Sequence, residues 1–300
     1  MPIHYDITHT THYRYLEPVS FGAHRVMFRP RDSHDLRVLA TDLVCSPEAQ
    51  IRMIQDPHSN SVALVQPLRQ SDELKIVCTF TIEHAPGDGT ELELSPSALI
   101  FPFAYSVQER LDLEHYMRPL HDDPDGVLTQ WARQFMRADG PTGTRDLLLK
   151  MNGFIREHFA YAARDEEGTQ TPLQTLKLGS GSCRDFALLM MEAVRSLGMA
   201  ARFVTGYLYD PALDASATAP DRPVTSGAGS THAWLQVYLP GAGWVPFDPT
   251  NDLRAGTSQL IRVGVARDPA QAAPISGSWF GPAGAYLGLS ASVQVRRVSV

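Results

Sequence analysis

The chain lacks most of what would place it in several large classes of protein. Of its 300 residues only three are cysteine, Cys45, Cys78 and Cys183, too few for a disulfide framework. A reducing cytoplasm is therefore the expected compartment, with Cys45 and Cys78 as small buried hydrophobes in strands. The formal net charge of −7 is spread without blocks of one sign. No basic stripe is available to neutralise a phosphate backbone, so nucleic acid is not an expected partner. No apolar run approaches the roughly 20 residues that cross a bilayer. The opening Met1-Pro2-Ile3-His4-Tyr5-Asp6 has neither the basic region nor the apolar stretch of a signal peptide, so no membrane partner is expected. Cys-x-x-Cys, His-Glu-x-x-His and acidic glycine-containing calcium loops are missing too, and neither a metal nor another cofactor is expected.

What remains is ordinary globular composition, 43% hydrophobic and 20% charged, over a length that suits about two domains. From Ile3 to about Thr90 short alternating runs are separated by turn residues. Ile3, Tyr5, Ile7, His9, Thr11, Tyr13 and Tyr15 share one parity, as in a half-buried strand. Leu36–Cys45, Ser61–Val65 and Leu74–Thr81 read as further strands, with turns at 32–35 and 56–60. Strands without helices predict an antiparallel β-sandwich over residues 1–95. The pair His9 and His12 has a metal-like spacing, but residues three apart on a strand point to opposite faces, and alternating strand positions are the better reading.

A Pro- and Asp-rich passage, 86–125, crosses to the next unit, so 96–140 is read as linker plus a first helix. That helix carries Val127, Leu128, Trp131, Phe135 and Met136 on one face. A second helix, from about Thr144 to His158, has Thr144 as its expected cap. Residues 141–255 then form the expected core and 256–300 a carboxy-terminal segment completing the β structure. A third helix is expected from Ser182 or Cys183 to Leu197, ended by Gly198. Ala200–Tyr209, Thr231–Leu239 and Trp244–Asp248 read as strands, the last two joined as a hairpin by Pro240-Gly241-Ala242-Gly243. The long aperiodic stretch 210–230 is either a flap facing the substrate or a disordered loop.

The chemistry concentrates at Gly179-Ser180-Gly181-Ser182-Cys183-Arg184-Asp185. A Gly/Ser turn delivers one thiol to the first turn of a helix, where unpaired amides and the positive end of the dipole favour a thiolate. Asp185 reads as a cap for those amides rather than a titrating group. A nucleophilic thiol needs a base, and the base needs an orienting group. His232 lies on a strand face with Trp234, Gln236 and Tyr238, an amphipathic wall that suits a cleft. Asp248 ends the next strand. A regular four-residue turn would set Asp248 opposite Leu235, on the wrong face for His232, whereas an odd loop or a bulge makes the two diagonal neighbours. The Cys183–His232–Asp248 hypothesis therefore predicts an odd hairpin loop. The Cys183 amide is one oxyanion donor; Gln174, Tyr161 and Trp234 are candidates for a second.

Three blocks, Gly-Ser-Gly-Ser-Cys183-Arg-Asp185-Phe-Ala, Thr-His232-Ala-Trp-Leu-Gln-Val and Gly-Trp244-Val-Pro-Phe-Asp248-Pro-Thr-Asn, resemble in order and spacing the signatures of the transglutaminase-like superfamily, relatives of papain-type cysteine proteases. Tyr5-Asp-Ile-Thr-His-Thr-Thr-His-Tyr-Arg-Tyr and Phe28-Arg-Pro-Arg are similar to the β-sandwich that precedes the core in its bacterial branch. Two departures, Gly229-Ser230-Thr231 without an acidic residue and Arg267-Asp268-Pro269 without a tyrosine, lie outside the three residues. The resemblance implies an α+β chain, an antiparallel β-sandwich followed by a papain-like core with helices packed on an antiparallel sheet. It also implies Cys183 as nucleophile, His232 as base and acid, and Asp248 as orienter, acting on a protein or peptide through a thioester. Hydrolysis is the expected outcome, with amine transfer or an inactive binding module as alternatives.

Overall fold

The computed structural model describes residues 2–85, 93–164, 168–214, 225–254 and 257–298. Its first unit is built from Ile3–Phe21 (β1), His24–Val26 (β2), Leu36–Ser46 (β3), Ala49–Gln55 (β4), Ser61–Pro67 (β5) and Ser71–His84 (β6). The parity of β1 is realised as read: Tyr5, Ile7, His9 and Thr11 are each at most 1% exposed, while Asp6 and Thr8 alternate towards solvent. One sheet runs Trp279–Phe280, β1, β6, β3, and a second runs Ile275–Ser276, β2, β5, β4. Their inner faces share one core that includes Ile7, Ile76, Val62 and Val65. The short β2 and the edge strand β4 have no counterpart in the sequence reading.

His9 and His12 point apart, as strand geometry requires. Buried His9 meets the Tyr207 hydroxyl at 2.8 Å through Nδ1, and His12 meets exposed Glu73 at 2.9 Å. Burial lowers the His9 pKa to about 4, so the ring is neutral at pH 7. Cys78 is buried, but Cys45 is only half-buried, which corrects the expectation for that residue. Burial raises both thiols to about 11 and leaves them protonated.

The second unit carries five helices, Val107–Met117 (α1), Val127–Arg133 (α2), Thr144–His158 (α3), Pro172–Leu178 (α4) and Cys183–Ser196 (α5). Helix α1 falls in the passage read as irregular. Its apolar pattern is weak because Val107 and Leu111 are exposed, and a reciprocal cap starts it instead, with Glu109 N donating to Ser106 Oγ and Ser106 N to Glu109 Oε2. Helix α2 stops before Phe135 and Met136. Gly143 stands at the cap of α3, and Thr144 is its buried first residue rather than its cap.

Helix α5 packs on a five-stranded sheet ordered Leu253–Arg254, Gly243–Asp248 (β9), Thr231–Leu239 (β8), Ala201–Leu208 (β7) and Leu260–Ala266 (β10). Strand β10 falls in the carboxy-terminal segment read as completing the β structure. Residues 215–224, the middle of the stretch read as flap or disorder, and the start of the Pro- and Asp-rich passage at 86–92 lie outside the described residues.

Besides the His9–Tyr207 bond, contacts at Asn60 and Met27 set this sheet against the sandwich. The Asn60 side chain bonds both N and O of Val265, at 2.9 and 2.7 Å, and so completes the free edge of β10 as a further strand would. Met27 fills the space left by Gly264, where a Cβ would stand 2.6 Å from its sulfur. Finally Tyr286–Val298 (β11) returns to pair antiparallel with β1 from His4 to Tyr15.

Candidate active site

The turn before α5 is fixed from both sides. Helix α4 ends at Gly179 with φ +61°, a left-handed cap that suits glycine. Ser180 and Gly181 then pair in parallel with Ala160 and Tyr161. Cys183 is the first residue of α5, so its amide has no acceptor within the helix. Asp185 acts as the sequence suggests. Its Oδ2 accepts from both the amide and the hydroxyl of Ser182 at 2.8 Å, and its Oδ1 accepts from Arg164 and from the Gln170 amide at 2.8 and 2.7 Å. One buried carboxylate thereby ties the cysteine turn to the 164–170 segment.

His232 and Asp248 meet across the hairpin. Strand pairing sets Leu239 opposite Gly243, which leaves a three-residue loop, and puts Leu235 opposite Phe247. In that register Asp248 is diagonal to His232, the odd-loop geometry the hypothesis requires. Gly241 and Gly243 at φ +92° and +71° allow the tight reversal. His232 Nε2 lies 2.8 Å from Asp248 Oδ2, and both side chains are fully buried.

Two further groups hold the carboxylate. The Thr250 amide donates to Oδ1 at 3.0 Å and the Asn251 amide group to Oδ2 at 3.0 Å. Neither had been singled out. The Asp-Pro-Thr-Asn run carries the signal, since an aspartate commonly accepts from the amide two residues on.

The other ring nitrogen, Nδ1, is buried without a hydrogen bond of ordinary geometry among the described residues, and Cys183 is the near group that bears on it. Cys183 is close enough to act on the ring electrostatically. Burial alone would lower the imidazole pKa; the charge and hydrogen bond of Asp248, with a smaller contribution from Cys183, overcome it and raise His232 to about 10. At neutral pH the ring is an imidazolium between the Asp248 carboxylate and the Cys183 sulfur.

The three candidate second oxyanion donors separate. Gln174 accepts from the Thr171 amide at 2.8 Å in the cap of α4, and Trp234 is 1% exposed among Val204, Leu208, Leu260 and Val265. The indole is sealed in the core, whereas exposed Gln174 commits only its carbonyl oxygen to the cap. Tyr161 is 38% exposed and beside the cysteine turn. Burial and then the charge of Cys183 raise its phenol to about 12, so it stays protonated and able to donate. Among the described residues no group of three or more His, Cys, Asp or Glu side chains could hold a metal ion, and no helix is long and apolar enough to cross a membrane.

Relatives match along nearly the whole chain. A protein of Mycobacterium leprae is 26% identical over 279 residues, covering 92% of each chain. One of Mycobacterium tuberculosis H37Rv is 26% identical over 288 residues, covering 91% of this chain and 86% of its own; both are described as uncharacterised. A solved structure described as "a Putative Cysteine Protease from Cytophaga hutchinsonii" superposes with a TM-score of 0.71 at 19% identity, over all of this chain and 92% of that one, which establishes the α+β fold. Residues 5–83 match the bacterial transglutaminase-like N-terminal region, and residues 129–249 match the transglutaminase-like superfamily core. The chain belongs to the transglutaminase-like superfamily, in its bacterial two-part form.

Proposed function

We propose that the protein is a thiol hydrolase that cleaves peptide or isopeptide bonds through Cys183, His232 and Asp248. The observation that carries this reading is the 2.8 Å bond from His232 to buried Asp248, with Cys183 at a helix N-terminus acting on the same ring. An imidazolium beside the sulfur holds the thiol proton and favours the thiolate nucleophile. The sulfur attacks the substrate carbonyl carbon, and the tetrahedral oxyanion sits at the Cys183 amide with Tyr161 as second donor. His232 passes its Nδ1 proton to the leaving amine as the C–N bond breaks, leaving a thioester. Water then attacks the thioester carbonyl, giving a proton to Nδ1, and the C–S bond breaks to release the acid. Asp248 keeps the ring oriented throughout and stabilises its charged form whenever Nδ1 holds the proton.

A primary amine in place of that water would make the same centre a transglutaminase. The Cytophaga neighbour's description favours hydrolysis. The test is a panel of protein substrates with and without a labelled primary amine. Peptide products without label are expected, and incorporation of the amine in preference to cleavage overturns the hydrolase reading. Cys183→Ala should abolish either signal; retained turnover would mean a different nucleophile. An inactive binding module makes a separate prediction, that iodoacetamide alkylates Cys183 at pH 6 no faster than a free thiol.

A further inference from the structure

The sandwich has a cleft of about 560 Å³ that the proposed chemistry does not use. Strands β3 and β4 are the neighbouring edges of its two sheets, joined through the corner at 46–49, and they splay apart beyond it. Thr41 and Leu43 line one lip and Met53 and Ile54 the other. The floor is Val26, Phe28, Ala63 and Cys78, each at most 3% exposed. Met53 at the mouth is 50% exposed, a large apolar side chain left in water at the entrance to an apolar space. The volume falls within the range of small-molecule sites, which are mostly apolar with a few polar groups.

One group in this wall is unsatisfied. Arg29 lines the cleft, and its Nε is buried without a hydrogen-bond partner. Among the described residues its hydrogen bond is a long one, 3.4 Å from NH1 to the Ser61 hydroxyl. Among the described residues no carboxylate pairs with it. Arg29 is half-buried, and its fork of donors, with no anion on it, matches a carboxylate. Asp42 also lines the cleft, but it is exposed, so its charge is screened by solvent. The hydroxyls of Thr41 and Ser61 offer further donors. Burial keeps the Cys78 thiol protonated, so it adds no charge to the floor.

We propose that this cleft binds a single-chain aliphatic carboxylate, its chain lying along Val26, Phe28, Leu43 and Met53 and its head group on Arg29. The site is independent of Cys183 and of the reaction proposed there.

Isothermal titration of the full chain with dodecanoate, 1-dodecanol and dodecyltrimethylammonium, each below its aggregation limit, tests this. Dodecanoate is expected to saturate at one molecule per chain, at least tenfold tighter than the alcohol, with the cation weakest. Arg29→Met should bring dodecanoate down to the affinity of the alcohol and leave the alcohol unchanged, and Leu43→Trp should weaken both. Circular dichroism checks that the variants fold. Should either fail, the ranking of the three head groups on the unaltered protein still decides. Equal affinity for acid and alcohol, binding without saturation, or a folded Arg29→Met variant that keeps its preference for the acid each overturns the proposal.

Discussion

Gly227 lies against the imidazole of His232: a Cβ on this glycine would stand 2.5 Å from Nδ1, the nitrogen that moves the proton in the reaction we propose. Its φ of +87° already favours glycine. The short segment around it is held by the Asn251 side chain, which donates to Ser226 O at 3.1 Å and to Asp248 as well. Asn251 thus links the orienting carboxylate to the chain that covers the ring.

Gly227→Ala is expected to slow alkylation of Cys183 and substrate turnover by tenfold or more. The control is Gly229→Ala. That glycine has a similar φ of +82°, but its Cβ would meet only Leu213 at an ordinary 3.4 Å. Both variants carry the left-handed strain of about 1–2 kcal/mol, so equal losses of activity would show that strain, not contact with His232, is responsible.

Removal of the carboxylate should be visible in the pH dependence of stability. His232 has a folded pKa of about 10 against an ordinary 6.5. The sign follows: the folded protein holds this proton more tightly, so the contribution is complete below pH 6.5 and is lost as pH rises towards 10. Urea unfolding across that window should show falling stability in the native protein and a flatter profile in Asp248→Asn. An unchanged slope would mean that Asp248 does not hold the imidazolium. The same variant should lose at least about two orders of magnitude in turnover, as orienting groups of this kind do.

Tyr161→Phe separates a donor from a wall. Loss of the phenol hydroxyl should reduce kcat by about ten- to a hundredfold with little change in KM, since an oxyanion donor acts in the transition state. A rise in KM alone would assign Tyr161 to substrate packing.

Helix α5 contains a charged pair that an apolar reading of Phe186–Val194 does not show. Glu192 and Arg195 are both fully buried and 2.9 Å apart. Glu192 also accepts from the Leu120 and His121 amides at 2.7 and 3.0 Å, and Arg195 donates to the carbonyls of Tyr116, Ala201 and Arg267. Glu192→Gln should destabilise the protein by about 3–5 kcal/mol, because it leaves a buried guanidinium without its counter-charge. Combined Glu192→Leu and Arg195→Met substitution should cost much less in urea unfolding than the sum of the two single changes.

Sequence carried a good part of this site because its information is local. A glycine turn before a cysteine, the parity of β8 and the loop length needed for Asp248 are each contained in a few adjacent residues. The sandwich was legible for the same reason where β1 alternates strictly. What escaped depends on distant neighbours. Strand β4 has Ile51 and Met53 exposed at a sheet edge, and α1 is helical with exposed Val107 and Leu111, so burial pattern alone misreads both. The role of Asn60 exists only because β10, far along the chain, leaves an edge open. Gly227 carries no signal at all until the ring it touches is placed.

Strand β11 also has a consequence in time. It is synthesised after residues 183–248, yet it pairs with β1, which precedes them, along His4 to Tyr15. Its Val293 amide donates to Gly229 O at 2.9 Å, just beyond the glycine that covers His232. On a ribosome the first sheet waits with one flank of β1 unpaired until the candidate site has emerged, and such long-range pairing is slow to form. The anchor beside His232 arrives with that same strand, so the candidate nucleophile's partner is secured only after β11 has paired.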